Sequence, residues 1–225
     1  MRKQVVVTLV SILAGVFGAV AQANAARMPL DEKVRLATEV YQELFEVPDR
    51  EVPKELLKES NCIAIIPGVI KGAFGWGGRH GRGVLTCRSG EGWSAPIFVT
   101  LSGGSFGLQI GAQSTDIVLF IVNERSVRSL LKSKFTLGGD LSVAAGPVGR
   151  SAELGTDVRL RAEIYSYAKS RGLFAGISVE GARLAPHQKS IDKYYGERLW
   201  PDEILFGSKV PAVPAESQRL LDVLP

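Results

Sequence analysis

Histidine, cysteine and methionine are almost missing from this chain, with two of each in 225 residues. His80, His187, Cys62 and Cys87 stand too far apart in sequence to form a zinc-type ligand cluster, so no metal site is expected. The nucleotide motifs are missing as well. No Gly-x-x-x-x-Gly-Lys-[Ser/Thr] occurs, and no Gly-x-Gly-x-x-Gly joins a strand to a helix. There is no Gly-x-Ser-x-Gly elbow. A Ser, His, Asp set can be picked from any chain this long, and no spacing favours one here, so a hydrolase is the remotest reading. We therefore expect no enzyme and no cofactor. Strong charge of either sign is also lacking. The formal net charge is +4, and +2 once Arg2 and Lys3 are set aside. That balance predicts no nucleic-acid partner and confines any anion site to a local patch.

One long apolar run is present, Val5 to Val20, behind the basic Arg2 and Lys3. Ala23-Asn24-Ala25 supplies the small-x-small cleavage pattern, so residues 1–25 read as a signal peptide cut after Ala25. An uncleaved anchor is the alternative, although the run is shorter than the ~20 residues of a spanning helix. The mature chain is expected to be exported, periplasmic or secreted, either free or associated with a membrane. It reads as one domain over 26–200 followed by a C-terminal tail, 201–225. In an oxidising compartment a Cys62–Cys87 disulfide is favoured over two buried thiols, since each cysteine closes an apolar strand-like run.

Leu30, Val34, Ala37, Tyr41 and Leu44 repeat at spacings of three and four, predicting an amphipathic helix from about Pro29 to Glu46. Its charged residues sum to −3, the wrong sign for anionic lipid. A short helix is expected from Pro53 to Glu59. Further helices are expected over Glu124 to Lys132, Pro186 to Tyr195 and Ala215 to Val223. His187 is expected to be solvated. Leu199 to Phe206 reads as a short apolar segment. Residues 101–122 read as two strands with a turn at Ser114, Thr115 and Asp116. The second, Ile117 to Val122, has no polar break and suits a strand covered on both faces. Strands are also expected at 93–101, Thr136 to Ala145, Val158 to Ala168 and Leu173 to Val179. Many short strands, glycine bends and few helices give an α+β fold. It is mainly antiparallel β, a curled, barrel-like sheet or a sandwich, with N-terminal helices and a few covering helices.

Lys71-Gly-Ala-Phe-Gly-Trp-Gly-Gly-Arg-His-Gly-Arg-Gly83 is the best candidate for anion contact. Lys71, Arg79, His80 and Arg82 sit among glycines whose bare N–H groups could face a phosphate or carboxylate. Trp76 adds apolar surface beside the charges, so we expect Lys71, Arg79 and Arg82 to converge on one exposed face near it. Composition alone leans to the plainer reading, a sheet edge with solvated charges and core aromatics.

Several motifs in order resemble the SYLF domain family. They are Ala64-Ile-Ile-Pro67, Gly75-Trp-Gly-Gly-Arg-His-Gly-Arg-Gly83, Trp93-Ser-Ala-Pro96 and Gly104-Ser-Phe-Gly-Leu-Gln-Ile-Gly-Ala-Gln-Ser-Thr-Asp116. Gly146-Pro-Val-Gly-Arg150, Ala162-Glu-Ile-Tyr-Ser-Tyr167, Gly172-Leu-Phe-Ala-Gly176 and Tyr194-Tyr-Gly196 come next, so the resemblance spans roughly residues 55–196. It implies a compact β-rich domain that binds phosphoinositide or other anionic lipid, coupled to actin in some eukaryotic members. For an exported chain the expected partner is an anionic lipid or membrane surface, with an envelope protein as the alternative. Such a chain is not expected to meet cytosolic actin.

Overall fold

The computed structural model describes residues 28–45, 52–74, 76–90, 92–106, 111–132, 136–147, 162–170, 173–207 and 212–225. The side chains of 73, 74, 76, 105, 106, 111, 112, 132 and 170 are outside that description. The expected signal peptide, residues 107–110 and the first part of the strand expected from Val158 also fall outside it.

The longest apolar runs become the central strands. β1 (Cys62–Phe74) and β2 (Trp76–Ser89) form a long hairpin, β3 (Gly92–Trp93) is short, and β4 (Ile97–Phe106) and β5 (Gly111–Ile121) come after them. β6 (Val143–Ala145), β7 (Ile164–Ser170), β8 (Leu173–Gly176) and β9 (Ala182–Pro186) complete the described strands. Their order is β6-β7-β5-β1-β2-β4-β9, with β3 on β2 and β8 on β7. All pairs are antiparallel except β6 with β7. The sheet is a curled half-barrel, the first of the two expected alternatives. Ile63, Ala64, Ile65 and Ile66 on β1 and Val118 to Ile121 on β5 are all fully buried. Consecutive buried residues point to opposite faces, so this end of the sheet is covered on both sides, as the unbroken apolar run predicts.

The described helices are α1 (Leu30–Glu43), α2 (Lys54–Glu59), α3 (Glu124–Lys132), α4 (Gln188–Tyr195), α5 (Pro201–Phe206) and α6 (Ala215–Asp222). α1 packs on β1 and β2, α4 on β4, and α5 on β2 and β4. The stripe Val34, Ala37, Val40, Tyr41 and Leu44 is the buried face of α1. α4 ends at Gly196, whose φ of 74° is the left-handed stop expected there. The segment expected as a tail carries α5 and α6, with Leu205 and Leu220 fully buried, and α6 lies against α1.

Three local expectations change. Ser114, Thr115 and Asp116 are not a turn. They lie inside β5, where Ser114 opposes Ile70 and Thr115 opposes Val69. Pairing with β1 outweighs the turn preference of small polar residues. The strand expected over Thr136 to Ala145 shrinks to Val143–Ala145, because Gly138 (φ 84°) turns the chain at its start. The apolar segment Leu199 to Phe206 is mostly helix, opened by Pro201 in its first turn with Glu203 accepting from the Trp200 amide.

Cys62 and Cys87 face each other across β1 and β2 and are joined by a disulfide, so the two-thiol alternative falls. Their Cα atoms are 4.0 Å apart, slightly closer than the ~4.4 Å lower edge of the usual range.

A bulge in β1 bends the hairpin next to its glycine-rich end. Between the pairs Ile65–Val84 and Ile70–His80, four residues of β1 stand against three of β2. Pro67, which has no N–H to give a ladder, sits in that bulge. Gly68 (φ 61°) is next and donates its amide to Asp116 Oδ1 at 2.8 Å instead of to a strand.

Candidate ligand cavity and basic groove

The glycine-rich segment is a hairpin of two interior strands and not the sheet edge of the plainer reading, and this decides where its charges go. From Trp76 to Leu85, β2 pairs residue for residue with β4 and shows no irregularity. Side chains therefore alternate, with His80 and Arg82 on one face and Arg79 on the other. Lys71 opposes Arg79 and shares its face, as Ile70 shares that of His80. The expected convergence of Lys71, Arg79 and Arg82 on one exposed face is thus corrected. Period-two geometry puts Lys71 and Arg79 on one side and Arg82 on the other. The expected cradle of bare glycine amides fails too. β2 is paired with β4 throughout Trp76 to Leu85 and with β1 outside the bulge, so the amides of Gly77 and Gly78 belong to strand ladders. Trp76 opens β2, and its side chain lies outside the described residues.

On the His80–Arg82 face, between the hairpin and α1, lies a cavity of about 840 Å³. Leu36, Val40, Pro67 and Ile70 give it apolar walls, and Lys33 and Arg82 bring positive charge, beside the His80 imidazole and the paired Lys169. Arg79 also borders it, although its side chain belongs to the other face of the sheet. Each of its three acids has a partner, two of them within the lining itself. Glu43 takes an ion pair from Lys169, Glu39 one from Arg35, and Asp116 accepts from Gly68. Among the described residues, Lys33 and Arg82 have no ion-pair partner. Burial, followed by the charge of Arg82, holds the Lys33 ammonium below the ordinary lysine value. Burial, then Arg82 and Lys33, likewise lowers the His80 imidazole. On this side of the sheet, Lys33 and Arg82 are thus the cavity's cations without an ion pair among the described residues.

Lys33 is invisible to a reading of its helix by summed charge. That sum, −3, averages over faces. Asp31, Glu32, Arg35 and Glu39 crowd one side of α1, where Arg35 bonds Glu32 at 2.8 Å. Lys33, Leu36, Val40 and Glu43 succeed one another at spacings of three and four along the cavity. His187 also departs from expectation. It is half-buried rather than solvated, its amide donates to Phe98 O at 2.8 Å, and its Nδ1 is 2.7 Å from Ser190 Oγ. It pins the start of α4 to β4.

A family model described as Ysc84, Las17-binding protein actin regulator, matches residues 102–225 of this chain. The chain belongs to the Ysc84 (SYLF) family. The SH3 domain-containing YSC84-like protein 1 of Xenopus laevis is 38% identical over 180 residues, covering 79% of this chain and 53% of the relative. The Homo sapiens protein of that name is 34% identical over 202 residues, 87% of this chain and 58% of the relative. Protein YSC84 of Saccharomyces cerevisiae is 38% identical over 179 residues, 77% of this chain and 38% of the relative. The chain thus spans about half the length of the vertebrate relatives it matches. The expectation that set actin aside as a partner is overturned, because the family is described as an actin regulator. The cavity wall from α1 and the β1–β2 hairpin lies N-terminal to the matched 102–225, while α4, α5 and α6 lie within it.

Proposed function

We propose that this Ysc84-family domain is a non-enzymatic binding module that takes up anionic lipid at the cavity between α1 and the β1–β2 hairpin. The observation that carries this reading is the pairing of apolar walls with Lys33 and Arg82, two cations without ion-pair partners among the described residues. An amphiphile would bury its apolar part against Leu36, Val40 and Ile70 and set its charge by the two cations. Each basic residue near an anionic surface contributes ~1 kcal/mol, so Lys33→Gln with Arg82→Gln should weaken binding to anionic vesicles roughly thirtyfold. Flotation with phosphatidylglycerol–phosphatidylcholine vesicles, against phosphatidylcholine alone, measures this. The wild type should float only with the anionic mixture, and less so as salt rises. A double variant that floats like the wild type, or binding indifferent to salt, would refute the reading.

A second reading has its own support in the family description, which names a Las17-binding actin regulator. In that reading the domain engages a protein partner of the actin system. Co-sedimentation with actin filaments by protein that ignores vesicles would favour it.

The pattern of residues 1–25 further supports export, with a mature N-terminus at Ala26. Intact mass of the protein recovered from an exporting host should show the loss of residues 1–25. Full-length protein retained in the cytosol would remove this part of the proposal.

A further inference from the structure

Beside the cavity, and sharing Lys33 and Arg82 with it, is a second hollow of about 530 Å³. It is closed by Lys189 and Lys193 of α4, four residues apart and so on one helix face, and by His187 at the helix start. Among the described residues, no carboxylate lines it. The acids of the surrounding elements are turned to other partners. Glu32 is bonded by Arg35, Asp31 interacts with Tyr194, and Asp192 accepts from Gln188 Nε2 at 2.6 Å. Four cations from α1, β2 and α4 thus face one space with no counter-charge among the described residues.

We propose that this hollow is a binding site for a phosphomonoester. The charge argues for a dianion with several acceptor oxygens, because Lys33, Arg82, Lys189 and Lys193 supply more donors than a carboxylate can use. The opening turn of α4 adds the positive end of a helix on the same side. Leu30, Phe98 and Val99 form an apolar part of the wall, where the organic portion of an ester would lie. Burial, then the charges of Arg82 and Lys189, holds His187 below the ordinary histidine value, consistent with crowding that an anion would relieve. The ester could be soluble or the headgroup of a lipid. This inference goes beyond lipid binding and stands without it.

Calorimetric titration of the whole protein with phenyl phosphate, at low salt, provides the test. The wild type should bind saturably. Lys189→Gln with Lys193→Gln should weaken binding roughly tenfold, the loss of two exposed charge contacts. Both residues are exposed, so the variant should melt with the wild type. Lys71→Gln, on the opposite face of the hairpin, should bind unchanged. A parallel arm uses phosphatidic acid vesicles. If the double variant loses phenyl phosphate and vesicles alike, the site stands and takes lipid headgroups. If it loses phenyl phosphate alone, the site stands for soluble esters. Wild-type protein that does not bind phenyl phosphate, or a double variant that binds it as well as wild type, overturns the proposal. Wild-type protein that ignores vesicles yet binds phenyl phosphate refutes the lipid reading and leaves this site in place.

Discussion

Gly83→Ala is expected to destabilise the domain by about 3 kcal/mol or more, beyond ordinary overpacking, while Gly78→Ala stays within ~0.5 kcal/mol of wild type. A Cβ at Gly83 would stand 2.0 Å from the carbonyl oxygen of Ile65 and 2.6 Å from Cα of Ile66. These are backbone atoms of the bulged neighbour strand and cannot rotate away. At Gly78 the nearest atom is the Gly103 carbonyl oxygen at 3.9 Å, an ordinary contact. Neither glycine has a positive φ, so the difference isolates the close approach caused by the bulge. Equilibrium unfolding in urea of the two variants beside wild type measures it. Equal midpoints for the two variants would show that the β1 backbone does not press on β2 there.

Loss of the Cys62–Cys87 bond should cost a comparable amount. The bond closes a segment with a sequence separation of 25. On the chain-entropy account that stabilises by roughly 3 kcal/mol. For a domain of this size the thermal midpoint should drop by about 6–12 °C. The comparison is between oxidised protein, the same protein in reductant, and Cys62→Ala with Cys87→Ala. Coincident melting curves would show that the crosslink adds nothing. Alkylation of two thiols in protein never exposed to reductant would show that the bond does not form.

Much of the architecture is legible in residue patterns alone, because it rests on period. The apolar stripe of α1 and the unbroken run Ile117 to Ile121 each have a spacing that admits one burial pattern, and both are buried as that spacing requires. The disulfide is legible for a related reason, since the two cysteines end runs with the composition of strands. The site is less legible. Lys71, Arg79, His80 and Arg82 are near neighbours in sequence, but a strand sends adjacent side chains to opposite faces. Once Trp76 to Leu85 is known to be regular, the split is unavoidable, but glycine at 75, 77, 78, 81 and 83 hides that regularity from a reading of composition. Lys33, Lys189 and Lys193 cannot be joined to Arg82 from sequence, since their meeting depends on α1 and α4 packing against the same face. The lysine pair four residues apart on α4 is the one visible sign, and such pairs are common on solvated helices.

The roof of the larger cavity is held from the far end of the chain. α6 rests on α1, Leu220 and Ser217 are fully buried, and Ser217 Oγ is 2.8 Å from the hydroxyl of Tyr194 on α4. α1 borders both hollows, and α4 closes the smaller one. A partner that drew α6 away would therefore loosen both, and a ligand seated beneath α1 would in turn resist that removal. By reciprocity the two effects are equal in free energy. Occupancy of the cavity and engagement of the last helix would then report on each other, although α6 itself lines neither hollow.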